Sequence, residues 1–536
     1  MTSSCAIYLG GTGFGLKHNP FGKDIANLAL YRAIARYAPG IELTFLGFDQ
    51  MDNADVSAFL YGERPASKTI ITTSVFNSEA MKVAGTLFRP SADLSDLAWM
   101  RRGYGNDRDY SISGLIHSLA PPAMRDYIAR AIMSPIQPWD SMICTSPTVR
   151  QALIEMYERQ TDFLANRFGV QGSAARPFPA MPVIPLGIEV AEVQGRLSKP
   201  GTRESVRTRI GAKEGEIIVL WLGRLSFFEK AHPSPMFLAI EEAARRAATR
   251  VRFVNVGWFP GGEQHREFYE EAARIHAPNV TIDFLDGNDR DLVSTVWAGA
   301  DIFISLVDNI QETFGITPIE AMAAGLPMVL SDWDGYRANA RHGIEAFLIP
   351  TLFPPAGSGW LMSQRHVLGL DSYQGYAGSV ALHTAVDVRA AADALHALMV
   401  NPELRKKLGE AGLARAKSTY DWPIIIKQIV AHWGEQAKSR SFMESHDANP
   451  KQFRVNPSKG EPFADFASFA TSVLKSDTVL RWNADGADGR LKDISKVRMN
   501  NVMRQWRADA LEDAALILAR SAYPTVVYLS LPTLSN

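Results

Sequence analysis

Short, bulky apolar runs alternate with amphipathic stretches twice along the chain, and this rhythm constrains the fold more than any other feature. Cys5–Leu9 reads as a first strand, Asp24–Tyr37 as a helix with apolar residues at helical spacing, and Ile41–Phe48 as a second strand. Together they open a βαβ unit. Thr69–Thr73, Ser113–Ile116 and Ser141–Thr145 are further strand candidates, each followed by polar or helix-like sequence. The second half repeats the pattern: strand Ile217–Leu222, helix Met236–Ala247, strand Val251–Val256, helix Gln264–Ile275, then strands Val280–Phe284, Ile302–Val307 and Met328–Ser331. Near-continuous apolar runs belong to strands buried on both faces, so the expectation is α/β, with parallel sheets covered by helices. The Pro-rich stretch Pro177–Pro182 reads as a linker between two such domains, and 333–376, rich in Gly, Pro and aromatics, as long loops. An apolar helix, Ile424–Trp433, follows Asp421-Trp422-Pro423. A polar linker at 449–460 leads into helix-like stretches at Pro462–Leu474, Leu491–Trp506 and Ala508–Ser521.

Composition narrows the function. A length of 536 residues corresponds to about three to four domains. The formal net charge of −1 gives no pull towards polyanions, so no nucleic-acid partner is expected. Two cysteines, Cys5 and Cys144, cannot staple a scaffold and fit a reducing compartment. The amino-terminal residues lack a basic segment before an apolar one, so no signal peptide is expected. No apolar stretch approaches the roughly 18 residues of a membrane span. The expectation is a cytoplasmic protein.

The stretch from Gln311 to Leu330 carries the chemistry. It places Glu312 in a polar loop after a strand and Glu320 in the first turn of a short helix, expected over Pro318–Ala324. Pro318 suits a first helical position and Gly325 a C-terminal stop. Thr317 and Glu320 also fit a capping box, which would explain Glu320 by helix stability alone. That account leaves out Glu312, and it leaves out Phe314-Gly315, where backbone can approach a ligand. A helix N-terminus at the carboxyl end of a parallel strand attracts anions. Flanking carboxylates accept hydrogen bonds from sugar or ribose hydroxyls, so the pattern suits a polyhydroxylated ligand that carries phosphate. Arg224 and Lys230 follow the strand Ile217–Leu222 and should lie at its carboxyl end, where fixed cations could stabilise a departing diphosphate. Gly10-Gly11-Thr12-Gly13 follows the first strand as a nucleotide-binding loop would. It lacks the G-x-G-x-x-G spacing, and no acid ends the second strand at the expected distance, so a nicotinamide dehydrogenase is not expected.

Glu312 and Glu320, with the sequel Ala321-Met322-Ala323-Ala324-Gly325-Leu326-Pro327, resemble the Glu-x7-Glu motif of retaining glycosyltransferases of the family-4, group 1 type. Leu220–Leu225 with Glu229-Lys230, Ala298–Asp301 and Val183–Ile188 extend the resemblance in the family's order. It is strong from about Val183 to Trp422, patchy before, and absent after about Ser439.

The resemblance implies a GT-B fold: two Rossmann-like doubly wound domains facing a cleft, at 1–182 and 183–422. A crossover helix at 423–445 would return to the first domain, and 446–536 would be a linker and a mostly helical appendage. The apolar residues of that appendage, among them Phe463, Phe466 and Phe469, are expected to pack on the main body or on a second chain, giving a homo-oligomer through the C-terminal region. The activity implied is transfer of a sugar from a nucleotide-diphosphate donor to an unidentified acceptor hydroxyl. Arg224 and Lys230 would bind the diphosphate, Glu312 the donor sugar, the backbone of Phe314, Gly315, Ile316 and Thr317 sugar and phosphate, and Glu320 the ribose. His117, in an Ile-His-Ser context, would face the donor sugar, and Gly22, before the first helix, would let backbone approach the ligand, with Gly11 in reserve. Asp332-Trp333-Asp334 has the Asp-x-Asp form that binds a divalent cation in the other major glycosyltransferase fold. With Arg224 and Lys230 supplying charge, neither metal nor other cofactor is expected. An epimerase or phosphorylase-like enzyme on the same fold, or a non-catalytic sugar-nucleotide-binding protein, are the alternatives.

Overall fold

The computed structural model describes residues 5–9, 22–48, 51–169, 178–447, 452–471 and 473. The chain divides into two compact units, Met1–Asn456 and Pro457–Asn536.

The first unit holds two parallel six-stranded sheets. β1 (Ala6–Tyr8), β2 (Glu42–Gly47), β3 (Thr69–Ser74), β4 (Thr86–Arg89), β5 (Ser111–Leu115) and β6 (Ser141–Ile143) run in the order β3-β2-β1-β4-β5-β6. β7 (Ile217–Leu222), β8 (Val251–Gly257), β9 (Thr281–Asp286), β10 (Ile302–Ser305), β11 (Met328–Ser331) and β12 (Ala346–Ile349) run as β12-β11-β10-β7-β8-β9. In each sheet the strand order reverses beside the first strand, and such a switch point opens a crevice at the carboxyl ends of the strands. Five helices matter below: α1 (Gly22–Tyr37), α2 (Ile316–Ala323), α3 (Trp360–Val367), α4 (Tyr373–Ala381) and α5 (Trp422–Phe442). Among the described residues, no helix is long and apolar enough to cross a membrane.

The expected strands are present, with ends shifted by up to two residues, but β4 and β12 were not anticipated. β4 is only Thr-Leu-Phe-Arg, too short for a periodic signal, yet Leu87 and Phe88 are fully buried at the centre of the sheet. The supposed linker is not loose where it is described. Met142 N–H donates to Ala180 O at 2.8 Å and Cys144 N–H to Pro182 O at 2.9 Å, so the segment lies along β6 as an extra edge. Proline is tolerated there because an edge leaves one side without a ladder partner.

The chain passes between the two sheets at Ile188 and again at Asp421, and the passages are bonded to each other. Ile188 N–H donates to Tyr420 O at 2.9 Å and Trp422 N–H to Ile188 O at 3.0 Å. A Cβ at Gly187 would collide with the Trp422 indole, so glycine admits that ring. From Trp422, α5 lies back across the first sheet, where Trp433 packs on Phe88 with ring centroids 5.6 Å apart.

The stretch 333–376 is not a set of loops. It contains β12, β13 (Thr351–Leu352), α3 and the start of α4, and β13 pairs antiparallel with β14 (Ala385–Val386). Several of its prolines and glycines, among them Pro354, Pro355, Gly357 and Gly359, sit between these elements. In the second unit the expected helix Pro462–Leu474 shrinks to one turn, Pro462–Asp465, and a 3-10 turn, Ala467–Phe469. Glu461 caps that turn by accepting from the N–H groups of Phe463 and Ala464, and Phe466 then leaves helical geometry. The stretches Leu491–Trp506 and Ala508–Ser521 lie outside the described residues.

Candidate functional site

At the switch point of the second sheet, the segments after β7 and β10 meet. α2 begins at Ile316 behind Gly315, a left-handed residue (φ 79°) that caps the helix with no side-chain bond. Thr317 is therefore the second helical residue, Pro318 the third and Glu320 the fifth. The capping box does not form, because the backbone turn at Gly315 starts the helix before Thr317 can cap it. Gly325 (φ 75°) follows the helix as the expected stop. The missing Cβ of Gly315 makes room for the Tyr336 ring, and that of Gly335 for the backbone of Thr313 and Phe314. The loops after β10 and β11 thus interlock, and the space at Gly315 is filled by protein. A bond of 3.0 Å between Ser305 Oγ and the Tyr336 hydroxyl ties the ring to β10.

Lys230 Nζ donates to Glu312 Oε2 at 2.9 Å, and Arg224 pairs with Glu229 at 2.5 Å. Burial pushes the Glu312 carboxyl up, but Lys230 and the N–H groups of Thr313 and Phe314 outweigh it and hold the group below the usual range. Glu320, partly buried in α2, is pushed up to about 7 by burial against the opposing charge of Arg196. Asp334 is pushed well above the carboxylate range by burial and by Glu312, against a bond from Gly335 N–H. The region therefore holds one firmly ionised acid, Glu312, and two that resist ionisation, Glu320 and Asp334.

Neighbours not anticipated from sequence fix this geometry. Asn309, fully buried, donates from Nδ2 to the carbonyl of Lys230 and accepts from Gln311 N–H at 2.9 Å. Asp308 Oδ2 accepts from His232 N–H at 3.1 Å, and burial pushes its carboxyl up to about 7. Asp308 and Asn309 together clamp the backbone on both sides of Ala231. The signal was a polar pair directly after the buried apolar run that ends at Val307.

The first domain reaches the same place. Thr313 Oγ1 donates to the His117 carbonyl at 2.7 Å, Ser118 Oγ to the Gln311 carbonyl at 3.2 Å, and Thr148 Oγ1 to the Asp334 carbonyl at 3.2 Å. The His117 ring has Nε2 2.7 Å from Asn27 Oδ1 on α1, and burial, helped by Lys23, lowers its pKa to about 4. It is a neutral imidazole at pH 7. Residues Lys230, Glu312, Phe314, Gly315 and His117 are thus brought together, with Arg224 on the Lys230 loop and Ile316, Thr317 and Glu320 on α2. Phe314 is buried, so its contribution to a ligand would be backbone. Gly22 is the exposed first residue of α1, with nothing within 4 Å of where a Cβ would stand, and Gly11 lies outside the described residues. The Asp-x-Asp pair is split: Asp332 binds Arg337 at 2.9 Å, whereas Asp334 is left-handed (φ 43°) and within the field of Glu312. Among the described residues, no three His, Cys, Asp or Glu side chains gather as a metal site would require.

Residues 202–352, which span the second-sheet part of this arrangement, match the family model of Glycosyl transferases group 1. Over these residues the chain is similar to that family. A D-inositol 3-phosphate glycosyltransferase of Rhodococcus erythropolis is 29% identical over 152 residues, 28% of this chain and 34% of that protein. A phosphatidyl-myo-inositol mannosyltransferase of Mycobacterium leprae is 34% identical over 178 residues, 33% of this chain and 38% of that protein. The chain thus spans little more than a third of the length of these relatives. Two solved structures are similar in fold. A glycosyltransferase from Rickettsia africae has a TM-score of 0.54 at 12% identity, covering 82% of this chain and all of that one. Anabaena HepE in complex with UDP-glucose has a TM-score of 0.51 at 14% identity, covering 81% and 100%. The chain has the GT-B fold, and the loops carrying Arg224, Lys230 and Glu312 lie within the matched segment.

Proposed function

We propose that this protein is a retaining, metal-independent glycosyltransferase of the group 1 type that moves a sugar from a nucleoside-diphosphate donor to an acceptor hydroxyl. The observation that carries the reading is the Lys230–Glu312 ion pair at the switch point, beside α2 and in bonded contact with the His117 segment. In this reading Arg224 and Lys230 face the diphosphate, and their charge counts most as the sugar–phosphate bond breaks and the leaving group gains charge. The leading N–H groups of α2, at Ile316 and Thr317, add the positive end of a helix. Glu312, kept ionised, accepts hydrogen bonds from hydroxyls of the transferred sugar. Glu320 accepts from the ribose. Neutral His117 can donate or accept with the sugar without adding charge.

The acceptor oxygen attacks from the face that the diphosphate leaves, its proton passes to the departing phosphate oxygen, and the new glycosidic bond keeps the donor's configuration. No enzymic nucleophile is required. Nucleotide sugars and two buried free cysteines suit a cytoplasmic setting.

The names of the similar proteins suggest the first substrates to try: UDP-glucose, or an activated mannose such as GDP-mannose, as donor and D-inositol 3-phosphate as acceptor. Proton NMR of the product should show an α-linkage from an α-linked donor. A β-linked product would overturn retention, and release of free sugar from every donor without transfer would overturn the transferase reading.

A further inference from the structure

Between β13 and β14 the chain makes an excursion, 353–384, whose ends are zipped together by the register Thr351↔Val386 and Leu352↔Ala385. It consists of α3 and α4 packed on each other. This small helical head meets both charged loops of the site. A Cβ at Gly378 on α4 would collide with the Phe228 ring, so α4 lies directly on the loop that carries Arg224 and Lys230. Tyr373, the first residue of α4, donates its hydroxyl to Gln311 Oε1 at 2.8 Å, and Gln311 immediately precedes Glu312. The phenol is also within the field of the Arg224–Glu229 pair. Gln311 is held at two other points already described, its N–H by Asn309 and its carbonyl by Ser118, and its chain neighbour Glu312 is held by Lys230. The Tyr373 bond is the contact that fixes its side chain to a different segment of the chain.

Resting on the function proposed above, we infer that the excursion 353–384 completes the donor site. Tyr373 acts there as a positioning residue, holding Gln311, and through it Glu312, for the sugar half of a nucleoside-diphosphate sugar. The nucleoside half lies towards Glu320 on α2, away from this contact, so the excursion sets sugar affinity and leaves nucleotide affinity alone.

The test is calorimetric titration of UDP, UDP-glucose, GDP and GDP-mannose into the wild-type protein and into Tyr373→Phe, Gln311→Ala and the double variant. Tyr373→Phe removes one hydroxyl and keeps the ring, so its melting temperature should match wild type. One hydrogen bond corresponds to about a 3- to 10-fold effect. The preferred nucleotide sugar should bind that much more weakly, and the bare nucleotide as before. If Tyr373 acts through Gln311, the double variant should be no weaker than Gln311→Ala. Unchanged sugar affinity in Tyr373→Phe, an equal loss for the bare nucleotide, or additive effects would each overturn the inference. A second arm replaces 353–384 with Asn-Gly, which joins Leu352 to Ala385 by a two-residue turn suited to an antiparallel pair. This folded variant should bind nucleotide and discriminate poorly among sugars, and undiminished discrimination would also overturn the inference. Should wild type bind none of the four probes, the functional reading itself fails and the inference with it.

Discussion

Two ion pairs, one in each domain, look alike in sequence and behave oppositely in structure. Arg101 and Asp140 in the first domain have fully buried side chains. The guanidinium reaches both carboxylate oxygens at 2.7 and 2.8 Å and the carbonyls of Tyr110 and Pro135 besides. Asp140 also accepts from the N–H groups of Ile112 and Gln137, both at 2.8 Å. Lys230 and Glu312 make one bond across the loops and keep side-chain exposures of 29% and 12%. The first pair spends most of its bonding capacity on the fold, although Arg101 Nε is buried without a partner. The second has capacity left and an open side, and this remaining capacity, more than the presence of charge, distinguishes a site from a strut.

The sharpest way to break this contrast is to remove one partner of each pair. Arg101→Ala should destabilise the protein by about 3–5 kcal/mol, because Asp140 is left as a buried charge without its counterion. Urea denaturation followed by circular dichroism would measure it, and a loss below about 1 kcal/mol would put Arg101 with the ordinary surface pairs. Lys230→Ala should do the reverse. Turnover should fall by about 10²–10³, while stability changes by about 1 kcal/mol or less, since the pair is partly exposed. A steady-state assay with the best donor decides, and near-normal turnover would return Lys230 to a structural role.

A smaller and pH-dependent effect is expected at Glu320. Its folded pKa of about 7 lies above the ordinary 4.5, so between these values the folded state holds a proton that the unfolded chain has lost. Stability from this group is therefore present below pH 4.5, declines as pH rises through 7, and is flat beyond. Glu320→Gln carries no such group. Its melting temperature relative to wild type should rise between pH 5 and pH 8 and show no trend from pH 8 to 9. If ribose hydroxyls bind the carboxylate, donor binding near pH 7 should also release a proton, visible as a dependence of binding heat on buffer ionisation enthalpy. The Gln variant should lack that dependence. Least of all should chelation matter: EDTA is expected to leave transferase activity within error, and loss restored by Mg²⁺ would bring Asp332 and Asp334 back as ligands.

Much of the second domain was legible because buried parallel strands write themselves as unbroken apolar runs. β7 and β11 fall where those runs do. The motif residues were legible one by one, but their pairing was not, since Lys230 and Glu312 lie 82 positions apart. The start of α2 was misplaced because Pro318 advertises a first turn, whereas the positive φ of Gly315 determines it. The helical head on β13 and β14 was hidden for a different reason. α3 buries no side chain fully, leaving Trp360, Leu361 and Val367 exposed, so apolar periodicity does not mark which face packs. Tyr373 could not have been named from sequence, because its importance lies in reaching another segment's side chain.

The return of α5 to the first sheet has a consequence for how the protein is made. Gln436 donates to the carbonyls of Ile112 at 3.3 Å and Trp139 at 3.0 Å, His432 lies 2.8 Å from Ser141 Oγ, and Arg440 donates to Ser111 Oγ at 2.8 Å. These partners leave the ribosome early, but the helix that covers them follows the entire second domain. At about 5–20 residues per second, the nascent first domain would wait on the order of ten seconds or more for its last layer. During that interval, the Phe88 face and the polar groups beneath α5 are open to chaperones or to another nascent chain. A ribosome stalled within the second domain would therefore display a first domain that has its sheet but lacks a wall.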